Sequence, residues 1–181
     1  MFTIKGDNEI ELQLLQPFHA DEYFQLVERN RYYLREWLPW VDEVRSPSDT
    51  YFLIQMGLNR FLENNEPNFG IRFRGVLVGN IDFHDINWYN RQTQLGYFLS
   101  QNAQGYGIMT RSVQAIIHYA FRELDLHRIE IRCGEKNRKS RAVPERLGFT
   151  YEGCLRDGEY LHGHFHHIFV YSMLTHEWNR K

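Results

Sequence analysis

The sequence predicts an α+β fold, a mixed and mostly antiparallel sheet with helices packed on its faces. Three observations carry that reading. From Asn68 to Leu99 apolar and polar residues alternate, the period of half-buried strands. After Gly107 the period lengthens: Met109, Val113, Ile116, Ile117, Ala120 and Leu124 stand at i, i+4, i+7, i+8, i+11 and i+15, one face of a helix. Beyond that helix, Arg128–Cys133, Thr150–Leu155 and His166–Leu174 return to the strand period, so helices and strands share one sheet.

The elements follow in order. Glu9–Leu15 alternates Ile10, Leu12 and Leu14 with polar neighbours, as an early strand does. Pro17 and Asp21-Glu22 suit a helix start, with Tyr23, Leu26, Val27, Tyr33, Leu34, Trp37 and Leu38 as its buried stripe and Pro39 ending or bending it. Ser46-Pro47-Ser48-Asp49 opens a second helix to about Asn64, with Ser46 as cap and Tyr51, Ile54, Leu58, Phe61 and Leu62 inward. Phe69–Phe73, Val76–Phe83 and Thr93–Leu99 are three antiparallel strands. They are joined by an Arg74-Gly75 turn and a longer Asn87-Trp88-Tyr89-Asn90 connection. A further helix is expected over Arg141–Leu147, stopped by Gly148. Pro144 inside it removes an N–H and disfavours helical geometry at Val143, so a late or distorted start is expected.

Composition narrows the function. The 181 residues are expected to form one domain, 1–181, and 43% hydrophobic residues argue for a packed globule. A net charge of −2 favours neither nucleic acid nor an anionic membrane as partner. No apolar run reaches the ~20 residues of a membrane span, and the N-terminus lacks a basic-then-apolar leader pattern. Cys133 and Cys154 form no spaced framework and are read as reduced, semi-buried residues of a cytoplasmic protein.

Gly105 and Gly107 sit where the strand ending at Leu99 hands over to the long helix. A helix N-terminus presents unpaired N–H groups and a positive dipole end, which suits an anion such as a pyrophosphate. A dinucleotide fingerprint needs a glycine where Thr110 stands, and a Walker loop needs a Gly-Lys-Ser/Thr that the chain lacks. A shorter cradle, Gln104-Gly105-Tyr106-Gly107-Ile108, remains beside the plain reading of a strand–helix turn.

The order of motifs is more specific than the glycines. Gly96-Tyr97-Phe98-Leu99, then Gln104 to Ile108, RIEIRC, Asn137-x-x-Ser140, Glu145 to Phe149, and Glu152-Gly153 with Arg156 behind together resemble the GNAT superfamily of acetyl-CoA N-acetyltransferases. Within it the resemblance is nearest to the Rim-type ribosomal-protein N-terminal acetyltransferases. It covers nearly the whole chain and is densest from Leu95 to Leu174.

The resemblance implies a bent, partly splayed sheet, with a bulge in the strand ending at Leu99. Backbone groups freed near Phe98 and Leu99 bind the pantetheine arm and polarise the thioester carbonyl. Acetyl-CoA is the implied cosubstrate, its pyrophosphate over Gln104, Gly105, Tyr106, Gly107 and Ile108 and a further contact from Asn137. No metal is implied. The strand carboxylate of many relatives is replaced by Gln92 and Gln94, neither of which is a base. The Rim-type glutamate proposed as base maps onto Glu159, and the serine proposed to protonate the leaving thiolate maps onto Ser140. An exposed hairpin carboxylate and a helix cap are the plain readings of these two, and a turn or cap is that of Asn137. One departure is Asn102, where the motif's first position is usually Arg or Gln.

The acceptor is expected to be a protein N-terminal α-amine of serine type, with a small amine (polyamine, amino acid or aminoglycoside) as the alternative. A non-catalytic acyl-CoA-binding module is the alternative of another class. Rim-type relatives make a homodimer compatible with the chain. His162, His164, His166 and His167 are read as a solvated hairpin or a groove wall, and the basic run Arg132–Arg141 as a loop attractive to phosphates. Trp37, Trp40 and Trp88 are candidate walls for the acceptor, with core packing as their default.

Overall fold

The computed structural model describes residues 2–179; the single-domain expectation for positions 1, 180 and 181 lies outside them. Eight strands form one sheet: β1 (Thr3–Lys5), β2 (Ile10–Leu14), β3 (Asn68–Phe73), β4 (Val76–Asn87), β5 (Gln92–Leu99), β6 (Arg128–Gly134), β7 (Thr150–Leu161) and β8 (His164–Leu174). Their spatial order is β1-β2-β3-β4-β5-β6-β8-β7. Every neighbouring pair is antiparallel except β5 and β6. That one parallel pair needs a crossover, and α3 (Ile108–Arg122) supplies it.

Both faces of the sheet are covered. On one, the apolar stripe of α3 (Met109, Val113, Ile116, Ile117 and Ala120) packs on Ile81, Phe83, Ile129 and Ile131. On the other, α1 (Ala20–Leu34) and α2 (Pro47–Asn64) bury Tyr23, Val27, Leu34 and Ile54 against Leu77 and Phe98. Ser46 caps α2 as its sequence demands. Its Oγ accepts the Asp49 N–H at 3.4 Å while the Asp49 carboxylate accepts the Ser46 N–H at 2.8 Å.

Several expectations need correction. Helix α1 stops at Leu34, so Trp37 and Leu38 lie beyond it; Leu38 is extended ahead of Pro39, as a residue before proline tends to be. In α2, Tyr51 and Leu62 face solvent, 44% and 81% exposed, whereas Ile54 is buried and Leu58 and Phe61 pack on the core as expected, joined by Thr50 and Gly57. Strand β4 continues past Phe83 to Asn87, and β7 reaches Leu161, so the late hairpin is far longer than expected. Cys133 is buried whereas Cys154 is exposed, and both are free thiols.

Pro144 also behaves differently from expectation. Helix α4 (Arg138–Arg146) starts three residues early and runs through the proline. The missing N–H of Pro144 leaves the Ser140 carbonyl without its helical donor. The Tyr97 hydroxyl from β5 donates to that carbonyl at 3.0 Å, so the helix stays continuous at no hydrogen-bond cost.

Candidate active site

The site grows out of a divergence between two strands. The β5–β6 pairing ends at Leu95↔Ile131, and past it the two strands splay apart. No bulge accompanies this: β4 and β5 pair in unbroken register from Gly79↔Leu99 to His84↔Gln94, and the only shift falls between His84 and Asn87. The expected bulge in the strand ending at Leu99 is therefore replaced by splay. Ser100 N–H donates to the Val78 carbonyl at 2.7 Å, which fixes the phase of the ladder. Gly96 and Phe98 then exchange bonds with β4, while the N–H and C=O of Tyr97 and Leu99 face the open side. The amide at the expected donor position Phe98 is thus used within the sheet, and that at Leu99 is the free one.

A cavity of about 680 Å³ fills the splay. Of the sequence-selected residues, Phe98, Leu99, Gln104, Gly105, Gly107, Ile108, Asn137 and Ser140 line it. Tyr106 is at the rim of the loop, 66% exposed, and Glu159 is outside the lining. Gly105 and Gly107 have φ of +86° and +69°, conformations that favour glycine, and Gly107 caps α3. The first intrahelical bond of α3 runs from Arg111 N–H to the Gly107 carbonyl at 3.0 Å. The amides of Ile108, Met109 and Thr110 precede that bond and are open to an anion.

Cationic side chains converge on the same mouth: Lys139 from the basic run expected to attract phosphates, Arg146 from the Glu145–Phe149 motif, and Arg111, which the sequence reading did not single out. Arg111, Lys139 and Arg146 all line the cavity. Lys139 Nζ donates to Gln104 Oε1 at 2.8 Å, and Arg146 to Thr110 Oγ1 at 2.8 Å. Arg111 is divided between the carboxylates of Asp7 and Glu9, at 2.7 and 3.0 Å, and so offers less charge to a ligand.

At the inner end, Asn137 caps α4 by accepting the Ser140 N–H at 3.1 Å. This places the Ser140 hydroxyl 3.2 Å from the Cys133 sulfur. Burial pushes the Cys133 thiol up to about 11, so it stays neutral, and burial raises the Tyr97 hydroxyl well above its usual range. Tyr97 is the functional candidate that the motif reading missed. Its place in Gly-Tyr-Phe-Leu looks like strand filler, and only the fold aims its ring at α4.

The outer wall comes from the end of α1 and the turn after it, with the late hairpin behind them. Tyr33, Leu34, Trp37 and Leu38 line the cavity. The Trp37 ring rests on Gly134, where an added Cβ would lie 3.0 Å from it, and meets the His166 ring at 6.3 Å. His166 is paired with Glu159 across the hairpin, so the two side chains share the face that carries Trp37. Glu159 is half-buried, and among the described residues no hydrogen bond or ion pair engages its carboxylate. Trp40 packs on Phe98 at 6.0 Å, whereas Trp88 lies apart, donating to Asn64 Oδ1 at 2.8 Å.

The histidines have structural partners. His162 Nε2 meets the Arg35 carbonyl at 2.8 Å, tying the hairpin tip to the end of α1. The Asp157 N–H donates to His167 Nδ1 at 2.9 Å. Among the described residues no group of three His, Cys, Asp or Glu side chains is arranged to hold a metal. No helix among them is long and apolar enough to cross a membrane.

This architecture has known counterparts. The sequence profile of the acetyltransferase (GNAT) domain matches residues 9–150. YdaF of Bacillus subtilis, provisionally named a ribosomal N-acetyltransferase, is 38% identical over 98% of this chain and 98% of its own. The ribosomal-protein-serine acetyltransferase of Escherichia coli K12 is 31% identical, over 95% of this chain and 96% of its own. Among solved structures, RimL, a ribosomal L7/L12 α-N-protein acetyltransferase, superimposes with a TM-score of 0.92 at 30% identity, covering 96% of this chain and 98% of its own. In that structure coenzyme A is bound and disulfide-linked to a cysteine. The splayed strands, the glycine cradle and these similarities make the chain a member of the GNAT acetyltransferase family, an N-acetyltransferase.

Proposed function

We propose that the chain transfers an acetyl group from acetyl-CoA to the N-terminal α-amine, of serine type, of a ribosomal or other protein, by direct transfer in a ternary complex. The observation that carries this reading is the single continuous cavity running from the glycine cradle to Ser140, beside the unpaired edge of β5. Its mouth suits a pyrophosphate, through the α3 amides with Lys139 and Arg146. Its lining along β5 suits a pantetheine arm bonded to the Tyr97 and Leu99 backbone. RimL, with its bound coenzyme A, supports the choice of cosubstrate, and its L7/L12 specificity supports the acceptor.

Acetyl-CoA supplies an acyl group already activated as a thioester. The chain's own residues then hold, orient and move protons. The Leu99 and Tyr97 amides, both on the open edge of β5, are placed to donate in turn to a carbonyl of the arm and to the thioester carbonyl beyond it. Ser140, on a helix turn fixed by Asn137, is placed to give a proton to a departing sulfur, and the Tyr97 hydroxyl stands beside it. Glu159 lies on the Trp37 face as the base for the amine, directly or through one water. An α-amine has pKa ~7.7–8.0 against ~10.4 for lysine, so one modest base suits an N-terminus better than a side chain. The same reading places the protein in the cytoplasm and is compatible with a homodimer.

Initial-rate kinetics with acetyl-CoA and an N-terminal-serine peptide test it. Intersecting lines are expected for a ternary complex. Parallel lines with an acetylated enzyme would overturn direct transfer, and a peptide left unmodified would overturn the acceptor.

A further inference from the structure

The polar residues of β4 have no role in the site as described and lie outside the residues that line its cavity, yet they gather at the apex of the splay, opposite the point where β5 leaves β6. Asn80, Asp82 and His84 project from the α1–α2 face, opposite Phe98, Gly96 and Gln94 of β5. The imidazole lies directly over Gly96: a Cβ built there would come within 2.5 Å of His84 Nε2 and 3.2 Å of Asp82 Oδ1. Nε2 is 3.3 Å from Asp82 Oδ2, and Asn80 Nδ2 approaches Asp82 Oδ1 at 3.4 Å. Tyr23, buried, in turn donates to Asn80 at 3.2 Å. The carboxylate is largely shielded, its side chain 13% exposed, while the imidazole is open at 40%.

Position gives this pair its meaning. Gly96 is the first residue past the last β5–β6 pair. A pantetheine arm entering at the glycine cradle and running back along Leu99 and Tyr97 brings its reactive end to that apex. Gln94 cannot act as a base there, and the missing side chain at Gly96 leaves the space that His84 occupies. On the Proposed function reading, the acceptor arrives near neutral pH as an ammonium and must lose two protons to become an amide. Glu159, on the hairpin rim, accounts for one.

We propose that His84 is a second proton acceptor for the incoming amine, held in place by Asp82 as a positioning residue. The ammonium gives one proton to Nδ1, the ring nitrogen that Asp82 does not engage, directly or through one water, while Nε2 keeps its N–H toward Asp82. The neutral nitrogen forms its bond to the acetyl carbon as the carbon–sulfur bond breaks. The second nitrogen proton leaves to Glu159, and the departing sulfur takes a proton from Ser140 or Tyr97.

The charges around the imidazole fit the role. The hydrogen bond to Asp82 raises its pKa from the usual 6.5, against the opposing pulls of burial and of Arg60 from α2; Asp85 on β4 adds to the rise. From β5 it faces only Gly96 and Gln94. Glu130, one strand further, is held by Arg128 and Arg132.

The test is the pH profile of acetyl transfer to an N-terminal-serine peptide by wild type, His84→Gln and Asp82→Asn, with acetyl-CoA affinity measured by calorimetry and the His84 titration followed by NMR. His84→Gln is expected to bind acetyl-CoA normally and to lose about 100-fold in turnover near pH 7. The loss should shrink by about pH 9, where the α-amine is already neutral. Asp82→Asn is expected to lower the His84 pKa seen by NMR and to move the acid limb of activity to lower pH. An undiminished His84→Gln enzyme with the wild-type profile would overturn the proposal and leave the acetyltransferase reading standing. So would a His84 titration indifferent to Asp82→Asn. Wild-type protein that transfers to no amine would instead bring down the reading itself, and this proposal with it.

Discussion

Glu159 and Ser140 illustrate what single residues reveal at different depths. Ser140 is a helix residue whose N–H is capped by Asn137 and whose hydroxyl meets a buried, neutral thiol, so its plain structural role and its chemical one coincide in one rotamer. Glu159 has no such anchor; its case rests on the face it shares with His166 and Trp37. Replacing Glu159 by Gln keeps shape and removes basicity. The expected outcome is unchanged acetyl-CoA binding with turnover lowered about 10²-fold or more, read by calorimetry and peptide acetylation. Unchanged turnover would remove Glu159 from the mechanism. These residues were legible because they sit in ordered motifs. The roles of Tyr97, Arg146 and the Asp82–His84 pair were not, since Tyr97 and Arg146 act through Ser140 and Thr110, 43 and 36 positions away, and the pair comes to lie over Gly96 only through the pairing of β4 with β5.

At the scale of elements, α4 shows a helix rescued by a strand. Pro144 removes the donor for the Ser140 carbonyl and Tyr97 restores one from β5, so the tilt of the helix that carries Ser140 depends on a residue of the splayed strand. Tyr97→Phe leaves that carbonyl unsatisfied and is expected to cost about 1–3 kcal/mol in denaturant unfolding. Adding Pro144→Ala returns an N–H to the helix, so the double variant should recover much of the loss; a purely additive result would contradict this coupling. Sequence pattern located most elements because period and capping residues act locally, as at Ser46 and Gly107. It misplaced the ends of α1 and α4 and turned Tyr51 and Leu62 of α2 inward, where solvent exposure and a strand-to-helix hydrogen bond decide. It also could not tell a bulge from a splay, since the difference lies in how β6 leaves β5.

For the whole molecule, ion pairs join segments far apart in the chain. Glu22 of α1 meets Arg72 of β3 at 2.7 Å, and Arg128 of β6 bridges Glu130 and Glu152 of β7. The Arg72 guanidinium holds Glu22 below the usual carboxylate value of 4.5, and Arg128 does the same for Glu152. Their stabilisation is complete above that value and is lost as pH falls through the lowered ones. Buried His19, whose imidazole burial pushes below its usual 6.5, adds an earlier loss, because it must be neutral in the fold. Melting temperature should therefore begin to fall below about pH 6.5 and fall faster below about 4.5. A flat profile across both windows would contradict these assignments. The central claim, that the cavity between β5 and β6 serves acetyl transfer to a protein N-terminus, is tested most directly by mass spectrometry over a mixed acceptor panel. The panel holds an N-terminal-serine peptide, its N-blocked copy carrying a lysine, spermidine and an aminoglycoside, with acetyl-CoA hydrolysis as control. The account predicts acetylation of the free N-terminal peptide and of none of the others. Transfer to a small amine alone, or bound acetyl-CoA with no amine modified, would contradict it.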